Sequence, residues 1–418
     1  MNLVRTGLLN GIAVAIRMLS AVILNKVLAI YVGPAGYALI GQFQNLVAIL
    51  TTFASGAVNT GVTKGTAEHF DDPERQVRIW QTAGTFVTVG ACATGALLAA
   101  FHQELAHRFL SNEQLSHVFI WLGVSLVFIG LNGLLLAILN GKKQIFLFVA
   151  VNIAGSLIGL MLTGALSIVL GVEGALIALS VNQAIVFLVS VTLCIRQPWF
   201  RISMLFGRLD RVALTELLHF AALALTAAAV KPLVQILIRD HLIQSYGVQN
   251  AGYWEALMRI SSLYLSLVTV PLSIYYLPRF AEIRSTTELK REIRTGLIAV
   301  APIALISSLT LYLSRDVLVV TLFTPDFLPM RDLFRWQLAG DVLKIVSWLL
   351  GYALLAKGKT TILITLEIGF GVTWLVFALL MSQSFGVQGV QMGYTLAYLL
   401  YALGVGWTLM HAFSRETC

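Results

Sequence analysis

Glu255, Arg259, Ser262 and Ser266 are spaced four, three and four residues apart, which puts them on one face of a helix. Gln337, Asp341, Lys344 and Trp348 repeat the arrangement later in the chain. Opposite charges one turn apart in an apolar stretch admit two readings: an ion pair that glues helices together, or the wall of a wet cavity. In the second reading Arg259 meets an anion, while Glu255 or Asp341 exchanges a proton. Two more cations, Arg17 and Lys26, lie in the apolar run Leu8 to Tyr31. A cation at bilayer depth costs roughly 2.5–3.5 kcal/mol even on the lenient insertion scale, so such residues usually face a bundle interior and mark a transport path. Gln42 and Asn45, three apart, and Lys64 beyond them carry groups that can bond a neighbouring helix or a sugar hydroxyl. Glu367 has no partner one turn away in its own stretch and joins Asp341 and Glu255 as a candidate carrier of a coupling proton.

These residues must be positioned by elements that live in lipid. Of 418 residues, 58% are hydrophobic and 11% charged, with a mean hydropathy of +0.85, whereas soluble chains are about 25% charged. A spanning helix needs about 20 mostly apolar residues. Twelve stretches qualify, near 8–31, 37–62, 80–101, 117–140, 145–170, 174–194, 214–238, 252–277, 296–313, 333–356, 360–381 and 388–411. The expected fold is therefore an all-α integral membrane protein.

Eighteen of the 28 Lys and Arg fall on the N-terminal side of these spans. Arg108, Arg239, Arg315, Arg331 and Arg335 fall on the other side, and Arg17, Lys26, Lys231, Arg259 and Lys344 lie within spans. The positive-inside rule puts the richer side, with both termini, in the cytoplasm. Asp71-Asp72-Pro73-Glu74 reads as the start of a surface helix between two spans, and Ser285 with Glu288 as the cap of a basic surface helix. Cys92, Cys194 and Cys418 are odd in number and scattered, which suggests no disulfide frame.

The two halves of the chain echo each other. Ala35-Gly36-Tyr37 recurs as Ala251-Gly252-Tyr253, and Lys64-Gly65-Thr66-Ala67-Glu68 as Arg279-Phe280-Ala281-Glu282. Gly171-Val172-Glu173-Gly174 recurs as Gly386-Val387-Gln388-Gly389, and the basic turn Gly141-Lys142-Lys143 corresponds to Lys357-Gly358-Lys359. The offsets stay between 214 and 216 residues. Six spans per copy bring the second copy into the membrane from the same side, so the repeats are parallel, and such transporters bind substrate between their halves. The expected division is an N-lobe at 1–195, a cytoplasmic linker at 196–213 and a C-lobe at 214–418, around a central cavity.

The sequence has no zinc-type His pair with Glu, no Gly-Lys-Ser/Thr phosphate loop and no paired-Asp metal motif. The loops are also too short for a catalytic domain. These features speak against an enzyme, an ATP-driven pump or a nucleic-acid binder, and no cofactor is expected. A cation-coupled drug exporter would need an acidic or aromatic pocket, which five in-span cations disfavour, and a scaffold of envelope polysaccharide assembly is a third reading.

Gly33-Pro34-Ala35-Gly36-Tyr37, Thr60-Gly61-Val62-Thr63-Lys64, Tyr276-Leu277-Pro278-Arg279 and the run from Met330 to Lys344 resemble the Wzx-type polysaccharide flippases. The resemblance covers nearly the whole chain. It implies the twelve-helix fold of the multidrug, oligosaccharidyl-lipid and polysaccharide exporter superfamily, with a cavity between two lobes. It further implies an undecaprenyl-diphosphate-linked oligosaccharide as substrate, flipped towards the periplasm across the bacterial inner membrane, with coupling to an ion gradient as the expected drive. A polysaccharide polymerase and a chain-length regulator become candidate partners, beside membrane lipids. Relatives that move lipid-linked peptidoglycan precursor hold the diphosphate with cavity arginines on spans 1, 2 and 8, for which Arg17, Lys64 and Arg259 are the positional matches. Lysine at the second position lacks bidentate phosphate geometry.

Helical geometry separates Arg17 from Lys26, because nine residues turn an ideal helix by about 180°. The expectation is that Arg17 faces Arg259 across the cavity, with Lys26 near the periplasmic rim.

Overall fold

A computed structural model describes residues 3–55, 58–207 and 209–414, with the side chains of 3–10, 218–224, 226, 227 and 412–414 left aside. Arg208, Arg415, Cys418 and the side chains of Arg5 and Gly7 thus lie outside the described residues. Every regular element among the described residues is helical. The chain forms two compact units, Met1–Pro232 and Leu233–Cys418.

The first unit contains α1 (Leu3–Tyr31), α2 (Gly33–Ala54), α3 (Asn59–Glu68), α4 (Pro73–Ala100), the short α5 (His102–Leu110), α6 (His117–Gly141), α7 (Ile145–Ile195) and the first part of α8 (Arg211–Tyr246). The rest of α8 belongs to the second unit. That unit continues with α9 (Val248–Glu282), α10 (Thr286–Leu313), the short α11 (Arg315–Leu322), α12 (Phe334–Ala356), α13 (Thr360–Phe385) and α14 (Val387–Ser414). Nine helices among the described residues are long and apolar enough to cross a membrane, with α7 counted once. Non-helical dihedrals at Gly171 divide the 51 residues of α7 into two, and α8 and α14 bring the set to the expected twelve.

Several boundaries differ from expectation. The single span at 37–62 is two helices, because α2 stops at Ala54 and α3 restarts at Asn59. The surface helices expected after Asp72 and Ser285 are instead the opening turns of α4 and α10, which continue unbroken into the apolar stretch. Their caps are as read: Asp72 accepts from the Arg75 N–H at 3.0 Å, and Ser285 accepts from the Glu288 N–H at 3.5 Å. These satisfy N–H groups that the first helical turn leaves without intrahelical acceptors.

The duplication is visible in the backbone. Gly171 has φ 60° and ψ −130°, and Gly386, 215 residues on, has φ 60° and ψ −147°. A Cβ at Gly174 would lie 2.0 Å from the Leu166 carbonyl oxygen, and one at Gly389 would lie 2.2 Å from that of Met381, again 215 apart. Lys143 and Gly358 share a positive φ at the same offset. Packing follows suit: α6 contacts α3, α4 and α7, and α12 contacts α9, α10 and α14. Residues with side chains reach such dihedrals only at a cost of about 1–3 kcal/mol. Gly171→Ala and Gly386→Ala are each expected to lower the melting midpoint of the detergent-solubilised protein, whereas a control at Gly369, which has open space around it, stays near wild type.

The segment after α7 is packed, not loose. Trp199 meets Trp80 of α4 edge to face at 5.9 Å, and Phe200 and Leu205 are buried. Thr85 Oγ1 donates to the Gly207 carbonyl at 3.0 Å, and the Asp210 N–H donates to Thr82 Oγ1 at 3.1 Å. Asp210 then caps α8 by accepting from the N–H groups of Val212 and Ala213. The Ala213 bond above all holds its carboxyl below the usual carboxylate range. Nearby, Lys142 donates to Gln76 at 2.8 Å and lies over the rings of Phe70, Trp80 and Trp199, and burial pushes its ammonium below the usual lysine range. The glycines of Gly155-x-x-x-Gly159 face Val186 and Asn182 across the fold of α7, while Gly11 has nothing within 4 Å.

Candidate functional site

The charged residues of α9 find a partner that hydropathy hid. Arg239 was expected in the loop after a span ending at 238, but α8 runs on to Tyr246 and Arg239 is only 1% exposed. Its guanidinium donates to Glu255 Oε2 at 2.5 Å and lies over the Trp254 ring, 5.2 Å from the centroid. The other carboxylate oxygen, Oε1, accepts from Arg259 Nε at 3.1 Å. One carboxylate therefore joins two guanidinia in one cluster. Arg259, at 15% side-chain exposure against 1% for Arg239, is its open member. The reason for the miss is physical: a cation ends an apolar window, but a carboxylate on the next helix makes its burial tolerable.

Span 10 was expected to carry an Asp–Lys pair, and α12 does so in the core of the second unit. Asp341 is fully buried and accepts from Ser261 Oγ at 2.6 Å, Tyr394 Oη at 2.8 Å and Gln337 Nε2 at 3.1 Å. Lys344 is also buried, with Nζ 5.2 Å from the Trp348 ring centroid and 5.4 Å from that of Tyr398, and 3.5 Å from Tyr394 Oη. The stripe of α9 that meets this group is not the one that carries Glu255 and Arg259. Ser261 makes the contact, while Ser262 is exposed and Ser266 bonds its own helix. The stepping rule places Ser262 beside Arg259, but α12 lies against the adjoining stripe.

Glu367 departs from the expectation of an isolated buried carboxylate. It is exposed and accepts from Tyr401 Oη at 2.8 Å. That partner sits on α14 and carries no signal within the local sequence around Glu367.

In the first unit, Arg17 is exposed on α1 and lines a cavity of about 210 Å³ with Asn152 and Ser156 of α7. Lys26 is half-buried one side chain along from Asn25, whose backbone carbonyl accepts from Tyr37 Oη at 2.8 Å. Gln42 is buried, and Asn45 is half-buried with its Nδ2 lacking a hydrogen-bond partner among the described residues. Lys64 is exposed and lines a separate cavity of about 290 Å³ with His69 and Glu216. Glu216 lies 3.8 Å from Arg75, an exposed pairing of the kind that contributes about 0–1 kcal/mol.

The family described as polysaccharide biosynthesis protein matches residues 21–332. The lipid III flippases of Escherichia coli (strain K12) and Shigella flexneri are each 27% identical over 401 residues, which is 96% of this chain and 96% of theirs. Among solved structures, an inward-facing multidrug resistance MATE family transporter of the MOP superfamily superposes with a TM-score of 0.80 at 15% identity, covering 97% of this chain and 96% of that one. The lipid II flippase MurJ in an inward closed conformation gives 0.77 at 12% identity, covering 97% and 87%. At these identities the two structures speak for the fold, which is the one the sequence implied. With three quarters of its length matched, the chain belongs to the polysaccharide biosynthesis protein family.

Proposed function

We propose that the protein is a flippase that carries an undecaprenyl-diphosphate-linked oligosaccharide from the cytoplasmic to the periplasmic leaflet of a bacterial inner membrane by alternating access. The observation that carries this reading is the Arg239–Glu255–Arg259 cluster, two guanidinia held on one carboxylate within membrane helices, with Arg259 the more exposed of the two. Guanidinium groups match phosphate oxygens with two parallel hydrogen bonds. A diphosphate cannot cross about 30 Å of hydrocarbon unaided. Fixed cations offset its lost hydration, and the polyprenyl tail stays in lipid. The similarity to the lipid III flippases of Escherichia coli and Shigella flexneri supports a lipid-linked substrate.

Arg17, Lys26, Lys64 and the amides Gln42 and Asn45 are the first unit's substrate-binding candidates. The lysine and arginine distribution places both termini in the cytoplasm. The work done is transport without a chemical step on the substrate, with the polysaccharide polymerase and chain-length regulator as candidate partners. A drug exporter of the same fold is disfavoured by the cluster's two guanidinia.

Coupling to an ion gradient runs through Asp341 in this reading. Hydroxyls donate and accept, so Ser261 and Tyr394 can hold the Asp341 carboxyl in either protonation state, whereas the guanidinia beside Glu255 only donate. Glu367 remains a second candidate, with one hydroxyl partner.

Two measurements test the proposal. In a strain lacking the protein, mass spectrometry after leaflet-selective labelling should find a lipid-linked oligosaccharide accumulating on the cytoplasmic side; an unchanged distribution counts against a flippase. Arg17→Ala is expected to fail to complement that strain at wild-type abundance in the membrane, and full complementation would remove Arg17 from the substrate path.

A further inference from the structure

The first unit contains a cavity of about 470 Å³ that the cation clusters leave unexplained. It sits where α2 gives way to α3, walled by α6 and α7, and none of its lining residues among those described is charged. Its size falls within the range of about 300–1,000 Å³ common to small-molecule sites.

The polar groups around it are oriented. Thr51 and Thr52 both donate their hydroxyl protons to the Ala48 carbonyl, at 3.1 Å and 2.6 Å, and Ser55 donates to the Thr52 carbonyl at 3.3 Å. Their protons are spent on backbone, so these hydroxyls offer lone pairs. Asn59 at the start of α3 adds a buried Oδ1 that has no hydrogen-bond partner among the described residues. On the facing wall the Ser190 hydroxyl lies 2.6 Å from Asn132 Oδ1 and 3.1 Å from the Val186 carbonyl oxygen, sharing one proton between them, and Asn132 Nδ2 donates to Gln183 Oε1 at 3.0 Å. That chain fixes the Gln183 amide so that its NH₂ is the end left to donate.

The cavity therefore offers acceptors from one wall and a donor from the other. A diphosphate has only acceptor oxygens and would be met by acceptors, without a cation to offset its charge. An ammonium or other organic cation would find no carboxylate. A group that gives and receives hydrogen bonds at adjacent atoms fits both walls, and that is the property of vicinal sugar hydroxyls. Apolar Val47, Ile129, Leu136 and Leu179 complete the lining and suit the C–H faces of a ring.

We propose that this cavity is a glycan subsite, which takes a neutral sugar ring of the lipid-linked oligosaccharide and reads its hydroxyl pattern. The assignment rests on the flippase reading above and adds to it where selectivity among glycans resides. Sites built to hydrogen-bond a hydroxyl discriminate strongly against ligands that lack it, because the site's own groups are then left without partners.

The test uses the full-length protein in detergent and two probes, undecaprenyl diphosphate and the same lipid bearing one N-acetylhexosamine. Wild-type protein is expected to bind the glycosylated probe at least tenfold more tightly. Asn59→Leu/Gln183→Leu is expected to bind both probes alike, at the wild-type affinity for the bare lipid. Thr60→Trp, which fills the exposed lip of the cavity, repeats the measurement without touching the buried amides, so misfolding of the double variant does not decide the matter. If either folded variant keeps the wild-type preference, the subsite is overturned while the flippase reading stands. If wild-type protein binds neither probe, the flippase reading falls and takes the subsite with it.

Discussion

Glu255→Ala is expected to deplete the protein from the membrane, whereas Arg259→Ala should leave its abundance intact and abolish translocation. The difference follows from burial. Glu255 is the common acceptor of Arg239 and Arg259, and Arg239 is 1% exposed. Removing the carboxylate takes from buried Arg239 the acceptor it donates to and leaves two guanidinia near each other. Breaking a buried pair from one side costs about 3–5 kcal/mol, a large part of the 5–15 kcal/mol by which proteins are typically stable. Arg259 is the more open member, and its loss leaves the Arg239–Glu255 pair neutral and closed. Immunoblots of membranes and complementation of a null strain separate the two variants. Equal abundance of Glu255→Ala and wild type would show that the cluster does not hold the fold, and growth with Arg259→Ala would remove Arg259 from the mechanism. The paired replacement Arg239→Met/Glu255→Leu should recover abundance, since apolar substitutes of similar volume often match a buried ion pair, yet it should not recover transport.

The second large effect is expected at Asp341, where alanine and asparagine should part company. Asp341→Ala strands the donors of Ser261, Tyr394 and Gln337, and takes the nearby carboxylate from Lys344. Each unsatisfied buried group costs about 1–3 kcal/mol, so the alanine variant should not accumulate. Asp341→Asn keeps a carbonyl acceptor for the hydroxyls and should give a folded protein. Its translocation in proteoliposomes should no longer respond to an imposed proton gradient. A gradient response equal to wild type in the asparagine variant would pass the coupling role to Glu367.

How much of this could be read in advance depends on whether the signal was local. The caps at Asp72 and Ser285 use residues within one turn, and the four-residue corners at Gly171 and Gly386 match in sequence, so both were legible. The pairing of Glu255 with Arg259 is an i, i+4 relation and was legible too. Arg239 was not: its partner lies across a helix turn in the next element, and a hydropathy window ends at the first charge. The contact of Ser261 with Asp341 was not legible either, because periodicity gives the faces of one helix but not which stripe its neighbour covers. Tyr401, 34 residues from Glu367, and the oriented amides Asn132 and Gln183 lie beyond any local pattern. Packing of separate helices creates those sites, and no spacing rule within one helix encodes them.

The corner shared by the two copies is a property of main chain alone. One glycine supplies a dihedral pair closed to other residues, and another three places on admits a carbonyl oxygen where a Cβ would stand. Nothing between those two positions is needed to make the turn. In the first copy Glu173 occupies that interval and lies 3.0 Å from His117 Nε2, while the second copy holds neutral Gln388 in the same place. The turn thus works as a mould that both halves inherited, and the freedom it leaves to its middle residues has let one half acquire a charge that the other lacks.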